Sequence, residues 1–344
     1  MSAVAAEPRT MLRRAVAVPL GATGALVTVR RGSRGPWSIV VDAPAADRDP
    51  LGPPPGFLAL VGIGSCTCVT VTGVASRGES RLHGMRVAFD VASGAGGRLS
   101  IRQETTLEAT LSERDRVRLT RAVAHCPVGR DFTKRGVDID DVVELTAAGP
   151  DPRPVTTTEL AAALPRLAFE PGRVEAIHLP ATGEWRDVDG RRILDQEGEV
   201  AIHVESGSPQ RRHRWAFMGG HSSAGWAPRP SSYALAALAG STLLTVRAMA
   251  QLLEIDPDGL EVEVEVVSPV PAGGKEASQE AAAAGRPERV RWRRIVRATG
   301  TGRGASADHV AAALALDPVV GYCRRGDLLD ADAVVVTAPG TGLG

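Results

Sequence analysis

Short alternating runs of apolar and polar residues open the chain, and they twice give way to one long apolar run. Ala15–Val18, Ala25–Val29 and Trp37–Val41 show the two-residue period of half-buried strands. Pro53-Pro54-Pro55-Gly56-Phe57-Leu58-Ala59-Leu60 then leads into an apolar segment that continues to Cys66 with small residues throughout. A Pro-x-Pro stop ahead of such a segment predicts a helix buried on most sides. Two further alternating runs, Gly84–Val91 and Leu99–Leu107, predict antiparallel neighbours. Ser112, with Asp115 three positions on, can cap the first turn of a shorter helix that is expected to end at Cys126-Pro127. Val137–Leu145 closes the series as a strand.

The same succession then returns. A shift of 175 positions superposes Pro53 on Pro228, Pro55 on Pro230, Leu60 on Leu235, Thr70 on Thr245 and Val71 on Val246. Leu260–Val267 and Val290–Ala298 repeat the strand pair, Ser306 repeats the helix cap, Asp317-Pro318 repeats the helix end, and Ala331–Thr337 repeats the last strand. By that point the shift has grown to 191, and the Ala/Gly/Glu-rich segment Pro271–Pro287, expected to be a flexible surface insertion, accounts for the difference. The boundary falls in Ala147–Pro154, where Gly149-Pro150-Asp151-Pro152-Arg153-Pro154 gathers helix breakers, and a short helix over Thr157–Leu164 follows. The expected class is α+β, with two tandem modules, 1–148 and 155–344, each β-β-β-α-β-β-α-β, rather than a parallel Rossmann sheet.

Composition narrows the function classes. A length of 344 residues suits two cores, and 43% hydrophobic with 23% charged residues is ordinary for a globular protein. Forty basic residues balance forty acidic ones, and aromatics make up 3%, so neither a field for a polyanion nor stacking platforms for bases are present. Nucleic acid is therefore excluded as an expected partner. Four cysteines are too few for a secreted disulfide framework. No apolar run of signal length precedes Arg13, and the apolar stretch Tyr233–Leu253 is interrupted by Ser241, Thr242, Thr245, Arg247 and Gln251. A cytoplasmic protein without a membrane span is the expectation.

A proline-led long helix carrying Gly64-Ser65-Cys66-Thr67, followed in this element order by a helix ending in His125-Cys126-Pro127-Val128, resembles the OsmC/Ohr family. The resemblance covers most of the chain twice. It implies that the two copies form an intramolecular pseudo-dimer around the long helices, as a monomer or as a further homodimer. It also implies thiol-dependent reduction of organic hydroperoxides in oxidative stress, with no cofactor. Cys66 matches the family's peroxide-attacking cysteine and Cys126 its resolving cysteine; the sulfenic acid on Cys66 would condense with Cys126 to a disulfide that an external dithiol reduces. The family's glutamate after the helix-leading proline has no counterpart, because Gly56 or Phe57 and Ser231 or Ser232 stand there. Arg30, Arg31 and Arg34 are the arginines near the corresponding region, and Arg30 and Phe57 are taken as candidate substrate contacts. Ser241 and Asp317 occupy the cysteine positions of the second copy, which leaves it as a partner and lid.

Other candidates compete with that reading. Cys68 lies two residues from Cys66, which on a helix turns the side chains about 200° apart, so an inert buried thiol is its expected state. The same divergence counts against zinc on Cys66, Cys68, His125 and Cys126, and no metal is expected. Cys323 reads as an incidental thiol in a Gly-Tyr-Cys-Arg-Arg loop. His213, Trp215, His221 and Trp226 belong to an Arg/His/Trp/Gly-rich stretch, Gln210–Pro230, which is either a substrate-facing wall or a surface loop around a core tryptophan. Gly302-Arg303-Gly304 and Ser93–Gly97 read as loops, and no phosphate-binding Gly-rich motif with its lysine appears. Two alternative functions stay open: a biosynthetic enzyme acting on an apolar substrate without peroxidase chemistry, and a non-catalytic binding protein.

Overall fold

The structure, a computed structural model, describes residues 13–31, 34–44, 48–77, 81–93, 99–150, 152, 154–163, 169–178, 185–188, 191–194, 200–208, 211–219, 227–267 and 290–338. The expected insertion Pro271–Pro287 and the glycine run 94–97 lie outside them. The first half consists of β1 (Arg13–Leu20), β2 (Gly24–Arg31), β3 (Arg34–Asp42), α1 (Pro55–Ala75), β4 (Arg81–Ser93), β5 (Leu99–Thr110), α2 (Glu113–Ala124), α3 (Pro127–Arg130), a π-helical turn (Asp131–Arg135) and β6 (Asp138–Thr146). After α4 (Thr157–Ala163) come β7 (Gly172–His178), β8 (Trp185–Val188), β9 (Arg191–Leu194), β10 (Val200–Ser208) and β11 (Arg211–Gly219). The chain continues through α5 (Pro230–Ala248), α6 (Ala250–Leu253), β12 (Glu261–Val267), β13 (Arg291–Thr299), α7 (Ala307–Leu314), α8 (Pro318–Arg325) and β14 (Ala331–Thr337).

The class is α+β, and the strands of the two halves are exchanged. One six-stranded sheet has the order β3-β2-β1-β12-β13-β6 and the other β11-β10-β7-β4-β5-β14. Each therefore joins the leading meander and last strand of one half to the central hairpin of the other. The exchange is fixed by antiparallel pairing of β1 with β12 (Ala15 opposite Val264) and of β7 with β4 (Ala176 opposite Val87). The last strands pair in parallel, β6 with β13 and β14 with β5. A separate hairpin, β8–β9, is added to the second half and has no counterpart in the repeat.

The alternation of the strands shows which face is inside. Ala15, Ala17, Val27 and Val29 are fully buried, whereas Arg14 and Arg30, opposite each other in register, point away from the helices. Between the sheets lie α1 and α5. Both begin with proline at the first turn, where the missing amide hydrogen has no intrahelical acceptor. Every residue of α1 from Pro55 to Cys68 is buried, as is every residue of α5 from Ser232 to Val246. Helix α1 is long and apolar enough to cross a membrane, but 78% of its apolar window is buried inside the protein.

The two helices run antiparallel and touch through glycine. A Cβ on Gly62 would stand 2.9 Å from the Pro230 carbonyl oxygen, and one on Gly240 would lie 3.6 Å from Pro55 Cβ. The approach at Gly62 excludes a side chain at the crossing, whereas Gly240 is confined by β3, where its Cβ would meet Val41 Cγ2 at 2.7 Å.

Two elements differ from the sequence expectation. The shorter helix ends near its proline, as expected, with α2 stopping at Ala124; the difference is that Pro127 then opens a new helix, α3, with Cys126 as its cap. Asp317 and Pro318 stand in the same relation to α8. Proline disfavours helical geometry in the residue before it but suits the first position of the next helix, so the same residue ends one segment and begins another. Cys323, expected in a loop, consequently lies on α8 and is fully buried. The serine caps hold: Ser112 accepts from the Asp115 amide and Ser306 from the Asp308 amide.

Replacing Gly62 by valine is expected to destabilise the protein by about 2 kcal/mol or more through overpacking at the helix crossing. A urea unfolding midpoint equal to that of the native sequence would contradict this account of the contact.

Candidate functional site

Cys66 sits midway along α1, where Gly62, Gly64 and Ser65 keep the helix narrow. Ser65 turns its hydroxyl back to the Val61 carbonyl at 2.8 Å, so it offers no polar group to its surroundings. Cys126 comes to the same place from the turn between α2 and α3. Its sulfur accepts the Gly129 amide at 3.3 Å, as a cap does, and donates to the Ile63 carbonyl of α1 at 3.8 Å. Capping thus anchors the second thiol against the helix that carries the first.

The two thiols are polarised in opposite directions. The neighbouring Cys126 is the largest influence on Cys66 and pulls its thiol below the ordinary value against the effect of burial, with smaller help from the Val128 backbone and Thr70. Thr70 Oγ1 lies 4.0 Å from Cys66 Sγ. Burial pushes Cys126 well above the ordinary thiol value, and the neighbouring Cys66 adds to that rise. A single thiolate held by the pair therefore resides on Cys66. Exposure agrees, at 7% for Cys66 and 2% for Cys126.

Cys66 opens on a cavity of about 370 Å³. Its walls are largely apolar, with Val69, Val128, Leu235 and Trp292 among them, and three charged side chains enter it: Arg13 from β1, Arg229 from the head of α5, and Asp131 from the π-helical turn after α3. Burial pushes the Asp131 carboxyl up to about 6, opposed by Arg135 and Arg130 beside it. Its charge in turn opposes ionisation of Cys66.

Of the residues singled out in the sequence, Cys66 and Cys126 are brought together. Arg30 is exposed on the outer face of its sheet, with Arg14, Val16, Val18 and Thr28 around a separate hollow. Phe57 is fully buried and packs at a tilt against Phe169, with ring centres 6.0 Å apart, as a core residue. His213 and Trp215 pack together on β11, and Trp215 lines a hollow with Arg173, Glu175, His203 and Arg214 that shares no residue with the Cys66 cavity. His221, Trp226 and the side chains of Arg31 and Arg34 lie outside the described residues.

The zinc candidates diverge. Cys68 turns its sulfur to the Ala176 carbonyl at 3.9 Å, and exposed His125 bonds through Nδ1 to the Arg121 carbonyl at 2.6 Å. Among the described residues no three His, Cys, Asp or Glu side chains converge as a metal site would require.

Arg13, Asp131, Arg229 and Trp292 were not singled out in the sequence. One signal was legible: at the 175-residue shift Arg229 stands where the first copy has Pro54, so the two helix-leading motifs differ by one charge.

The second half solves the equivalent position differently. Ser241 and Thr242 donate to the two carboxylate oxygens of Asp317 at 2.6 Å each, and Asp317 caps α8 by accepting from the Val319 and Val320 amides. Arg294, fully buried, bonds to Thr242 and Asp317 and pairs in bidentate fashion with Asp141 at 2.7 and 2.9 Å. This is a closed ion network with no thiol in it.

Fold and site together define an α+β protein with a buried thiol pair opening on a largely apolar cavity. No protein-family model matches the chain, and no curated protein matches it. Among solved structures there is a likeness to a protein from Psychrobacter arcticus 273-4 described as an osmotic stress induced and detoxification response protein. The two are 18% identical, the match spans 36% of this chain and 89% of that one, and the TM-score is 0.27.

Two predictions follow from the geometry of the site. Iodoacetamide at neutral pH is expected to modify Cys66 and leave Cys126 and Cys68 untouched, with a rate that rises with pH about a midpoint below that of a free thiol; mass spectrometry of the labelled peptides checks both. Asp317→Ala is expected to cost about 3 kcal/mol, because it leaves Arg294 and two hydroxyls buried with fewer partners. Denaturant unfolding measures that cost, and a loss under about 1 kcal/mol would show the network to be incidental.

Proposed function

We propose that the chain is an OsmC/Ohr-like thiol-dependent peroxidase that reduces organic hydroperoxides, built from two copies of one unit, 1–148 and 155–344. The observation that carries this reading is a pair of neighbouring thiols polarised in opposite directions, of which the lowered one, Cys66, lines an apolar cavity while Cys126 is held behind it on the Ile63 carbonyl and the Gly129 amide. A nucleophile needs a lowered thiol, and a resolving cysteine must keep its proton until the sulfenic acid has formed.

In the proposed cycle the Cys66 thiolate attacks the hydroperoxide oxygen distant from carbon. The O–O bond breaks, the alcohol leaves once it has taken up a proton, and Cys66 becomes a sulfenic acid. The Cys126 thiol then condenses with it, forming the disulfide and releasing water, and an external dithiol reduces the disulfide by two exchange steps. The valine, leucine and tryptophan walls favour an apolar alkyl group over hydrogen peroxide, which would gain nothing from them. The arginines Arg13 and Arg229 supply positive charge where oxygen acquires negative charge during the attack.

Reduced protein mixed with cumene hydroperoxide is expected to consume it and to form a Cys66–Cys126 disulfide detectable by mass spectrometry. Cys66→Ser is expected to abolish consumption. Cys126→Ser is expected to allow one turnover and then to hold Cys66 as a sulfenic acid. An untouched peroxide with both thiols still reduced would sink the reading.

A further inference from the structure

We propose that Asp131 is the general acid of this reaction, delivering the proton that the departing alkoxide needs; the inference rests on the peroxidase reading above. Asp131 lines the same cavity as Cys66, on the turn that follows the helix capped by Cys126. An attacking sulfur approaches along the O–O axis, so the leaving oxygen points away from Cys66 into the cavity rather than toward the thiol pair. The proton source must therefore be a cavity-lining group other than the pair.

The remaining polar groups cannot fill that role. Arg13 and Arg229 can stabilise negative charge, but a guanidinium does not give up its proton in a protein. The hydroxyls of Thr70 and Ser231 are weaker acids than the alcohol's conjugate base requires for fast transfer at neutral pH. Asp131 is the one carboxyl among the lining residues, half-buried, and its environment keeps it protonated to a higher pH than an ordinary aspartate.

The groups that act on it come from several elements. Arg130 and Arg135 on its own segment favour the carboxylate, while burial opposes it. Cys66 on α1 and Cys323 on α8 both feel its charge, and Arg13 on β1 and Arg229 ahead of α5 share its cavity. Since a thiolate on Cys66 and a carboxylate on Asp131 repel, the site favours one negative charge at a time. The competent state carries it on sulfur, with the carboxyl protonated.

The step then balances. Cys66 thiolate, hydroperoxide and the Asp131 carboxylic acid become Cys66 sulfenic acid, alcohol and the Asp131 carboxylate. Sulfur is oxidised, the O–O bond is reduced, and the negative charge moves from sulfur to Asp131. Burial holds the proton on Asp131; as the charge leaves sulfur, the thiolate's added opposition to a carboxylate there disappears, so the acid strengthens when its proton is needed.

The test compares Asp131→Asn with the native protein on two oxidants, cumene hydroperoxide and perbenzoic acid, by single-turnover formation of the Cys66–Cys126 disulfide near pH 6. Cumene hydroperoxide expels an alkoxide that needs a proton, whereas perbenzoic acid expels a carboxylate that does not. The variant is expected to lose about 100-fold with cumene hydroperoxide and to stay within about 3-fold with perbenzoic acid, the range in which general acids contribute. Its Cys66 should react with iodoacetamide at least as fast as in the native protein, since a repelling charge has been removed; that rate also reports an intact site. The rate with cumene hydroperoxide divided by that with perbenzoic acid should fall above about pH 6 in the native protein, because thiolate formation raises both rates alike while only the first needs the Asp131 proton, and the variant should lose that decline. Equal losses with both oxidants, or no loss with cumene hydroperoxide, would overturn the assignment while leaving the peroxidase reading intact. Failure of the native protein to reduce either oxidant would instead remove the peroxidase reading, and this inference with it.

Discussion

Two helices without a polar face dictate the architecture. An ordinary amphipathic helix shows one stripe to the core and one to water, but α1 and α5 are buried around nearly their whole circumference and must be enclosed from every side. One sheet can cover only one side of a helix. Placing α1 and α5 against each other closes a second side, and a second sheet closes the rest, so neither half of the chain can satisfy its own helix alone. Exchange of strands follows from this constraint: each sheet draws from both halves, and each hairpin closes against the meander of the other half. The glycine contact at Gly62 allows the helices to come close enough for both sheets to reach them.

Enclosure on that scale also determines where chemistry can occur. Of the thiols on α1, Cys68 faces the sheet, where burial raises it far from reactivity, while Cys66 faces the seam with α5 and the α2–α3 turn, where a cavity remains. Cys126 reaches that seam because it caps a helix, which leaves its sulfur beside backbone donors rather than in a solvated loop. The pseudo-equivalent position in the other half shows what the fold does when thiols are absent. An aspartate caps the matching helix, a serine and a threonine donate to it from the long helix, and a buried arginine balances the charge, itself paired with Asp141. A buried charge survives only when every partner is supplied, which is why that side is closed and saturated while the thiol side keeps an opening.

Much of this arrangement was legible in the sequence because it is written in local chemistry. Proline starts, serine caps and period-two strands mark elements with short-range signals, and the observed strands and long helices fall where those signals put them, extended by a few residues. The repeat itself was visible in the shared prolines, leucine, threonine and valine. What a single sequence lacked was partnership across the exchange. Arg13 and Asp131 look like solvated surface charges in sequence, since nothing nearby marks the cavity they share with Cys66. Arg30, only one strand away from Arg13, points out of the sheet, because strand position alone leaves open which face meets the helices until the register of β1 with β2 and β12 is known. The helix that begins at Pro127 was missed for a related reason: proline is read as a stop, although here it is also a start.

Two halves of one chain need not be identical, and the Cys66 cavity uses that freedom. Its floor belongs to the first half, through α1 and the α2–α3 turn, while a wall comes from Arg229, Pro230 and Ser231 at the head of α5 and from Trp292 on β13. In an assembly of identical copies any change at the helix-leading motif would appear at both sites. Here Pro54 heads one long helix and Arg229 stands at the matching place before the other, so a guanidinium is presented to the thiol side alone. The half that carries Ser241 and Asp317 in place of the cysteines thereby contributes to the thiol site, because its helix head adds Arg229, Pro230 and Ser231 to the Arg13, Val69 and Val128 that the first half supplies. A thiol pair in one half and a charged helix head in the other together build one site, and the strand exchange is what keeps the two halves close enough to share it.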